Sequence, residues 1–545
     1  MSYKGVSIFI VILILLGCKT SKEVELVHFN SNIAFRNASF TNDWYKKDIQ
    51  QDGVAGISLE RAKKNILSKR GKSVLVAVID DRIDVNHKNV MPFIWTNINE
   101  KQNNGIDDDN NGYVDDAHGW NFLGNDKQQQ VLHNLSEETR IVQFYSARFN
   151  KADSTKISPT DLQLYNLYKE AKTIVNEKVR ESKEDYISVS PKYIKKYKDA
   201  LKQVELYLKE ENFTLKKLDS IKQIEEALIP HVEFITQMIT YEVTLEDLEE
   251  ELQHHVDRVE KYYNIDYNDR ELLNDNVHDI NDTNYGNNDI VFDEEEGFSH
   301  ATQVASAITN VISKNVEIMP LAISTYGDEH DKDIALAIRY AVDNGASIIN
   351  MSSSKYFSLH EDWVKDALKY AESKDVLFIT SAGNNAMNLD INKNYPNDTD
   401  SKGNEVLSNF MVVGASTRIP NEKIINASSN YGKNEVDIFA PGDSLYLASS
   451  SKNKILKYEY VSGTSFAAPV VSGVAALIRS YYPKLSAKQV KHIIMEHGVE
   501  YTFPVEIPTE EDEVRTIPFN QLSKSGKIVN VYNALLMAEA MSKRQ

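Results

Sequence analysis

The sequence predicts an α/β fold with a mostly parallel central sheet and an all-α helical insertion. Three observations carry this. Short runs rich in β-branched residues are apolar without alternation, as in Val74–Ile79 (VLVAVI), which suits strands covered on both faces. Helical patterns fall between several of these runs, the order expected of a parallel sheet with crossover helices. Between about Leu132 and Tyr263 glycine disappears and Lys, Glu, Leu and Tyr dominate, so this stretch obeys a different pattern.

In chain order, residues 1–17 read as a signal segment, with Lys4 ahead of an apolar run and small Gly17 at its end. Leu15-Leu16-Gly17-Cys18 resembles the lipobox of bacterial lipoproteins. That resemblance implies cleavage before Cys18 and acylation of this residue, which would anchor the chain to a membrane. Lys19, in place of an aspartate, implies the outer membrane of a Gram-negative cell envelope. Residues 18–42 form a polar tether, short for a folded pro-domain. Residues 43–131 form the first part of the main domain, with a helix at Leu59–Leu67 capped by Ser58 and a strand at Val74–Ile79 ending in Asp80-Asp81.

Residues 132–263 form the helical insert. Ser158-Pro159-Thr160-Asp161 carries N-cap, first-turn proline and acidic N3 signals, and Leu164, Leu167, Ala171 and Ile174 follow at helical spacing. Ile194, Tyr197, Leu201, Val204 and Leu208 make a second stripe, and Thr244 caps a third beginning at Leu245. Each helix is apolar on one face, so the helices pack on one another or on the main body. The charged faces suit a docking arm for an unidentified protein, or a lid. The neighbouring His254-His255 reads as solvated surface. Residues 264–545 complete the main domain, with strands expected at Val316–Pro320, Ser347–Met351, Val376–Thr380, Met411–Val413 and Val436–Phe439, and helices at Asp333–Asn344, Glu361–Ser373 and Ala467–Tyr482.

Composition narrows the function. The chain has 545 residues, 41% apolar and 26% charged, enough for one large domain with insertions or for several domains. Its 61 basic and 80 acidic residues give a net charge of −19, which repels phosphate backbones and argues against a nucleic-acid partner. Cys18 is the only cysteine, so internal disulfides and cysteine-ligated metal centres are excluded.

Three motifs carry chemistry, in the order Asp, His, Ser. Asp80 ends a buried strand. His300 opens a small-residue helix, Ser299-His300-Ala301-Thr302-Gln303-Val304-Ala305-Ser306. Ser465 lies in Gly463-Thr464-Ser465-Phe466-Ala467-Ala468-Pro469, a glycine-led turn into a helix whose N-terminus favours a developing negative charge. Pro469 is expected in the first turn. Gly463–Gly473 (GTSFAAPVVSG) resembles the serine box of subtilisin-family serine proteases, Ser381-Ala382-Gly383-Asn384 resembles the family's oxyanion segment, and Ile349-Asn350-Met351-Ser352 resembles its cleft strand.

The resemblance covers about three fifths of the chain and implies a three-layer subtilisin-like fold and a serine endopeptidase acting on proteins or peptides. It implies Ser465 as nucleophile, His300 as general base, Asp80 as its orienting carboxylate and Asn384 as oxyanion donor. Ser352, Ser353, Ser354 and Gly383 would line the substrate cleft. The sequence departs from the family in three places. Asp80-Asp81-Arg82 replaces Asp-Ser/Thr-Gly, Ala301 and Ser306 replace glycines, and Ser352-Ser353-Ser354 replaces Ser-Leu-Gly, so that Ser354 and Lys355 are expected to narrow the cleft. An alternative is a catalytically weak lipoprotein on the same fold that binds peptides or acts as a scaffold.

Asp107-x-Asp109-x-Asn111-Gly112 sets oxygen ligands at positions 1, 3 and 5 with a turn glycine at 6. Tyr113 through its carbonyl, and Asp115 or Asp116, would complete a structural Ca²⁺ loop. His118 at the twelfth position argues against an EF-hand, and a solvated polar turn fits the same residues. No cofactor is required for the chemistry itself.

Overall fold

The computed structural model describes residues 25–29, 40–67, 71–188, 190–210, 213–222, 225–241, 243–292, 299–400, 402–450, 457–507 and 515–544. Cys18 and the signal segment lie outside the described residues. Among the described residues no helix is long and apolar enough to cross a membrane.

Nine strands form one sheet: β1 (Val74–Asp80), β2 (Trp120–Asn121), β3 (Val316–Ala322), β4 (Ile348–Met351), β5 (Leu377–Ser381), β6 (Phe410–Ser416), β7 (Ile438–Pro441), β8 (Val499–Glu500) and β9 (Lys527–Ile528). Their order is β8-β9-β7-β6-β5-β4-β1-β3-β2, and every pairing is parallel except β8 with β9. The expected strands all form, within one to three residues at their ends. Their residues are buried on both faces, which explains why the runs do not alternate.

Helices α1 (Glu137–Phe149) to α6 belong to the insert, with α2 (Leu162–Ser188), α3 (Pro191–Leu208), α4 (Leu215–Lys222), α5 (Ile229–Thr240) and α6 (Leu245–Asp257). In the main body, α7 (His300–Val311) packs on α10 (Thr464–Tyr481), and α8 (Asp331–Asp343) on α9 (Glu361–Ser373), making helical layers about the sheet. Gly473 permits the close crossing of α10 on α7, since a Cβ there would sit 2.7 Å from Val311 Cβ. The two lost glycines of the His motif are accommodated. Ala301 is buried without clash, and the Ser306 hydroxyl accepts a hydrogen bond from Ala448 N at 3.0 Å.

The insert has two parts. The outer part, α3 to α6, builds its own core from Ile194, Val204, Leu218, Val232, Ile235 and Leu248. The inner part, α1 and α2, shares a cluster with Phe357 and Leu359 of the main body. Thr244 caps α6 as expected, in a reciprocal capping box with Asp247. Three local expectations fail. Ser58 precedes its helix at a positive φ of 59° and makes no side-chain cap, because its hydroxyl instead receives Asn530 Nδ2. Ser158 accepts Asp161 N in a turn, and α2 begins only at Leu162. His255 is buried beside Glu251, 2.9 Å from its carboxylate, so only His254 is solvated.

Candidate active site

Asp80 is the last residue of β1, an interior strand flanked by β3 and β4 and third from one edge of the sheet. The residue is 3% exposed. Asp80 Oδ1 accepts His300 Nδ1 at 2.8 Å and Asp81 N at 2.9 Å. This bond fixes the imidazole with Nε2 as the free acceptor, the tautomer a general base needs.

Asp81 explains the first departure from the family pattern. Ser299 makes no side-chain cap for α7, and Asp81, the residue after β1, does that work. Its Oδ1 accepts Ala301 N at 2.7 Å and its Oδ2 accepts His300 N at 3.2 Å. Arg82 pairs with Asp289, 2.7 Å away. Burial and the charge of Asp80 push Asp81 up to about 7. Burial alone would lower the pKa of His300, but Asp80, followed by Asp81 and Glu329, outweighs it and raises it to about 9.

Ser465 is the second residue of α10, where its backbone N–H lies in the unpaired first turn. The Phe466 ring lies 5.3 Å from the His300 ring, centroid to centroid, so the helix start and the imidazole are neighbours. Gly463 precedes the helix at φ 143°, a conformation that favours glycine. Thr464 orients the oxyanion candidate: Asn384 Oδ1 accepts Thr464 N at 2.9 Å and Thr464 Oγ1 at 3.0 Å. The amide is thereby held by its oxygen, and its Nδ2 remains as the donor end.

Ser352 and Ser465 exchange two hydrogen bonds. Ser465 Oγ donates to Ser352 O at 2.9 Å, and Ser352 Oγ donates to Ser465 O at 2.8 Å. The second has a cause in the sequence. Pro469 is the sixth helical residue, in the second turn and not the first, and has no N–H for the carbonyl four residues before it. That carbonyl belongs to Ser465, and Ser352 satisfies it. The nucleophile candidate thus rests on the cleft strand, and its hydroxyl must turn from Ser352 O before it can donate to His300. Apo sites often show such unaligned bonds.

A family model described as "Subtilase family" matches residues 155–510. The chain belongs to the subtilase family. The matched span contains His300, Asn384 and Ser465; Asp80 lies before it and is tied to the site by its bond to His300. The chain is 37% identical over 97 residues to subtilisin-like protease 1 of Plasmodium berghei, covering 18% of this chain and 16% of that protein. It is 47% identical over 58 residues to subtilisin DY of Bacillus licheniformis, covering 11% and 20%. The matches therefore span about a fifth or less of these relatives' length. A crystal structure of a lanthipeptide protease is similar at 27% identity and a TM-score of 0.35, covering 44% of this chain and 75% of that one.

In this subtilase the segment after the cleft strand differs from expectation. Ser353 and Ser354 are half-buried beside the cleft, but Lys355 is 3% exposed and points away from it. Lys355 Nζ lies 2.8 Å from Asp331 Oδ1, 3.1 Å from Glu137 Oε2 and 2.7 Å from Glu329 O. Glu137 also pairs with Arg140, and Arg140 donates to Leu135 O and Glu329 O. Burial would lower the pKa of Lys355, but Asp331 and Glu137 together hold it raised. The first helix of the insert is thus joined to the cleft wall through a buried charge network. Gly383, at φ 93°, approaches Asn430, whose Nδ2 would meet a Cβ at 2.6 Å.

The Asp/Asn loop is rearranged relative to its linear reading. Asp109 comes together with Glu100 and Asp116, their oxygens within 4.8 Å of one another. Asn111 donates to Asp116 at 2.8 Å from the edge of this group. Asp107 accepts Asn111 N and Gly112 N, Asp115 accepts Asn104 N and Gly105 N, and the Tyr113 ring packs on Trp120 and Tyr340. Glu100 and Asp116 bear the strain of proximity: burial first, then neighbouring carboxylates, push both upward. Glu100 Oε2 is buried with no hydrogen-bond partner. Glu100, seven residues before the motif, carried no sequence signal.

Proposed function

We propose that this subtilase is a lipid-anchored serine endopeptidase of the cell envelope that cleaves proteins or peptides through an acyl-enzyme. The observation that carries the reading is the 2.8 Å bond from His300 Nδ1 to buried Asp80, beside the helix that begins with Ser465. Ser465 Oγ attacks the scissile carbonyl while His300 Nε2 takes its proton. Asp80 stabilises the imidazolium, and the oxyanion is held by Asn384 Nδ2 and the Ser465 N–H. His300 then returns the proton to the leaving amine, and water repeats the cycle to release the acid. Substrate backbone runs beside Ser352, Ser353, Ser354 and Gly383. Purified protein should digest a denatured protein, and Ser465→Ala should abolish digestion while leaving the melting curve in place. A well-folded wild type that digests nothing would favour the peptide-binding reading.

The charge around His300 sets the pH dependence. The base must be neutral, so kcat/KM rises as pH increases through its pKa of about 9. Asp81→Asn removes a negative charge that favours the imidazolium, so the rising limb moves toward acid, by about one unit. A limb unmoved by Asp81→Asn would show that Asp81 acts only as a helix cap.

The donor set of Glu100, Asp109 and Asp116 fits a hard divalent cation: all oxygen, negatively charged, with one buried carboxylate oxygen unsatisfied. In this reading Ca²⁺ is structural and takes no part in bond cleavage. Binding to the folded state alone adds about 2.7 kcal/mol at a hundredfold excess over Kd. A chelator should therefore lower Tm, and Glu100→Gln with Asp109→Asn should remove that sensitivity. A melting curve indifferent to chelator would make the loop an ordinary polar turn.

The anchor rests on the sequence motif ending in Cys18, with the outer membrane as its expected site. Cys18→Ser should move the protein from the membrane to the soluble fraction, because the acyl chains supply the attachment at about 0.8 kcal/mol per buried CH₂. Retention of the mutant after an alkaline wash would contradict the lipoprotein reading.

A further inference from the structure

A groove of about 1250 Å³ lies between insert helix α2 and two loops of the main body, 356–362 and 385–395. It begins beside the catalytic cleft. Asn385 lines it and follows the oxyanion candidate Asn384, and Tyr356 Oη donates to Asn385 Oδ1 at 2.6 Å across its mouth. Its floor and edges are apolar, with Leu164, Leu167, Ile174, Phe357, Met387 and Ile391. Ile391 is 81% exposed and Leu162, at the start of α2, 48%, so apolar side chains stay open to an occupant on both sides of the groove.

Above this floor the charge is one-sided. Glu138, Glu170, Glu177, Glu181, Glu361 and Asp362 line the groove, against two lysines, Lys178 and Lys393. Lys178 and Glu181 pair with each other at 2.9 Å and Glu361 pairs with Lys365, so the excess negative charge comes from Glu138, Glu170, Glu177 and Asp362 against Lys393. Glu170, Glu177 and Glu181 lie on one side of α2, seven and four residues apart, so the carboxylates form a row along the helix. From Leu162 to Glu181 the helix runs roughly 30 Å, room for about eight residues of extended chain.

We propose that this groove binds an extended, Lys/Arg-rich segment of the protein substrate, outside the residues that flank the scissile bond. Long basic side chains suit both features at once. Their aliphatic stems cover the apolar floor, and their cationic ends reach the carboxylate row. An acidic or purely apolar segment would leave the carboxylates uncompensated at close range. The insert then acts as one wall of a substrate-selecting site. That the occupant is substrate rests on the protease reading above; the binding itself does not.

The test measures binding apart from turnover. Full-length Ser465→Ala protein is titrated into a dye-labelled eight-residue peptide alternating Arg and Ala, and anisotropy is read. A Glu/Ala peptide of the same length serves as the opposite-charge control. Glu170→Gln, Glu177→Gln and Asp362→Asn together should weaken the basic peptide at least tenfold. Glu233→Gln, Glu246→Gln and Glu250→Gln, the same loss of charge at exposed positions of the outer bundle, should change it less than twofold. Melting curves establish that both triple variants are folded. Equal weakening by the two sets would mean general attraction to an acidic protein and would overturn the proposal, as would no preference for the basic peptide. Binding as predicted by the Ser465→Ala protein, with a wild type that digests nothing, would sink the protease reading and leave the groove standing.

Discussion

Ser465→Ala should lower kcat by about 10⁶-fold, His300→Ala by a similar factor, and the double variant by no more than either alone. The proposed mechanism requires this non-additivity. In that mechanism His300 acts only by taking the Ser465 proton, so once either is gone the other has nothing to do. What survives is the oxyanion site, about 10³–10⁴-fold over water. Asp80→Asn should cost less, about 10⁴-fold, because the ring stays in place while its tautomer preference and cation stabilisation are lost. Steady-state kinetics on one peptide across the four proteins checks the pattern. Multiplicative losses in the double variant would mean that Ser465 and His300 do not work as a unit.

The second large effect is on folding. Glu137→Ala should destabilise the protein by about 3–5 kcal/mol, since it leaves Lys355 and Arg140 as buried cations short of a partner. Chemical denaturation measures it. Replacing the whole segment 132–263 with a linker removes Glu137 and Arg140 together and exposes the apolar surface of Phe357 and Leu359. Such a chain should not yield a stable body. Replacing only residues 190–243 takes away most of the outer bundle, which has a core of its own, and spares the network. This shorter deletion should fold and keep its active-site chemistry. If the long deletion folds as well as the short one, the network does not join insert and body in the way described.

The fold was largely legible because parallel strands buried on both faces leave uninterrupted β-branched runs. Asp80, His300 and Ser465 were legible for a related reason: each stands at an element boundary that its neighbours announce, a strand end or a small-residue helix start. Contacts between distant segments were not legible. Nothing near Lys355 signals that it turns inward, since its partners Glu137 and Asp331 lie 218 and 24 residues away. Asp81 stands in the sequence only as a departure from the family pattern, and only the position of α7 reveals it as a cap. The carboxylate cluster escaped a linear reading because Glu100 reaches it from outside the motif. One contact could have been found from sequence: Pro469 frees the Ser465 carbonyl, four residues earlier, and so demands a donor from elsewhere, which Ser352 provides.

The central claim, that Ser465 is a nucleophile activated by His300, is tested most directly by a fluorophosphonate probe followed by peptide mass spectrometry. The probe reacts with an activated serine and needs no knowledge of the substrate. The account predicts a single adduct on Ser465 in the wild type, forming faster as pH rises toward 9, and none in His300→Ala. Folded wild-type protein that takes up no probe, or an adduct that persists at the same rate without His300, would contradict it.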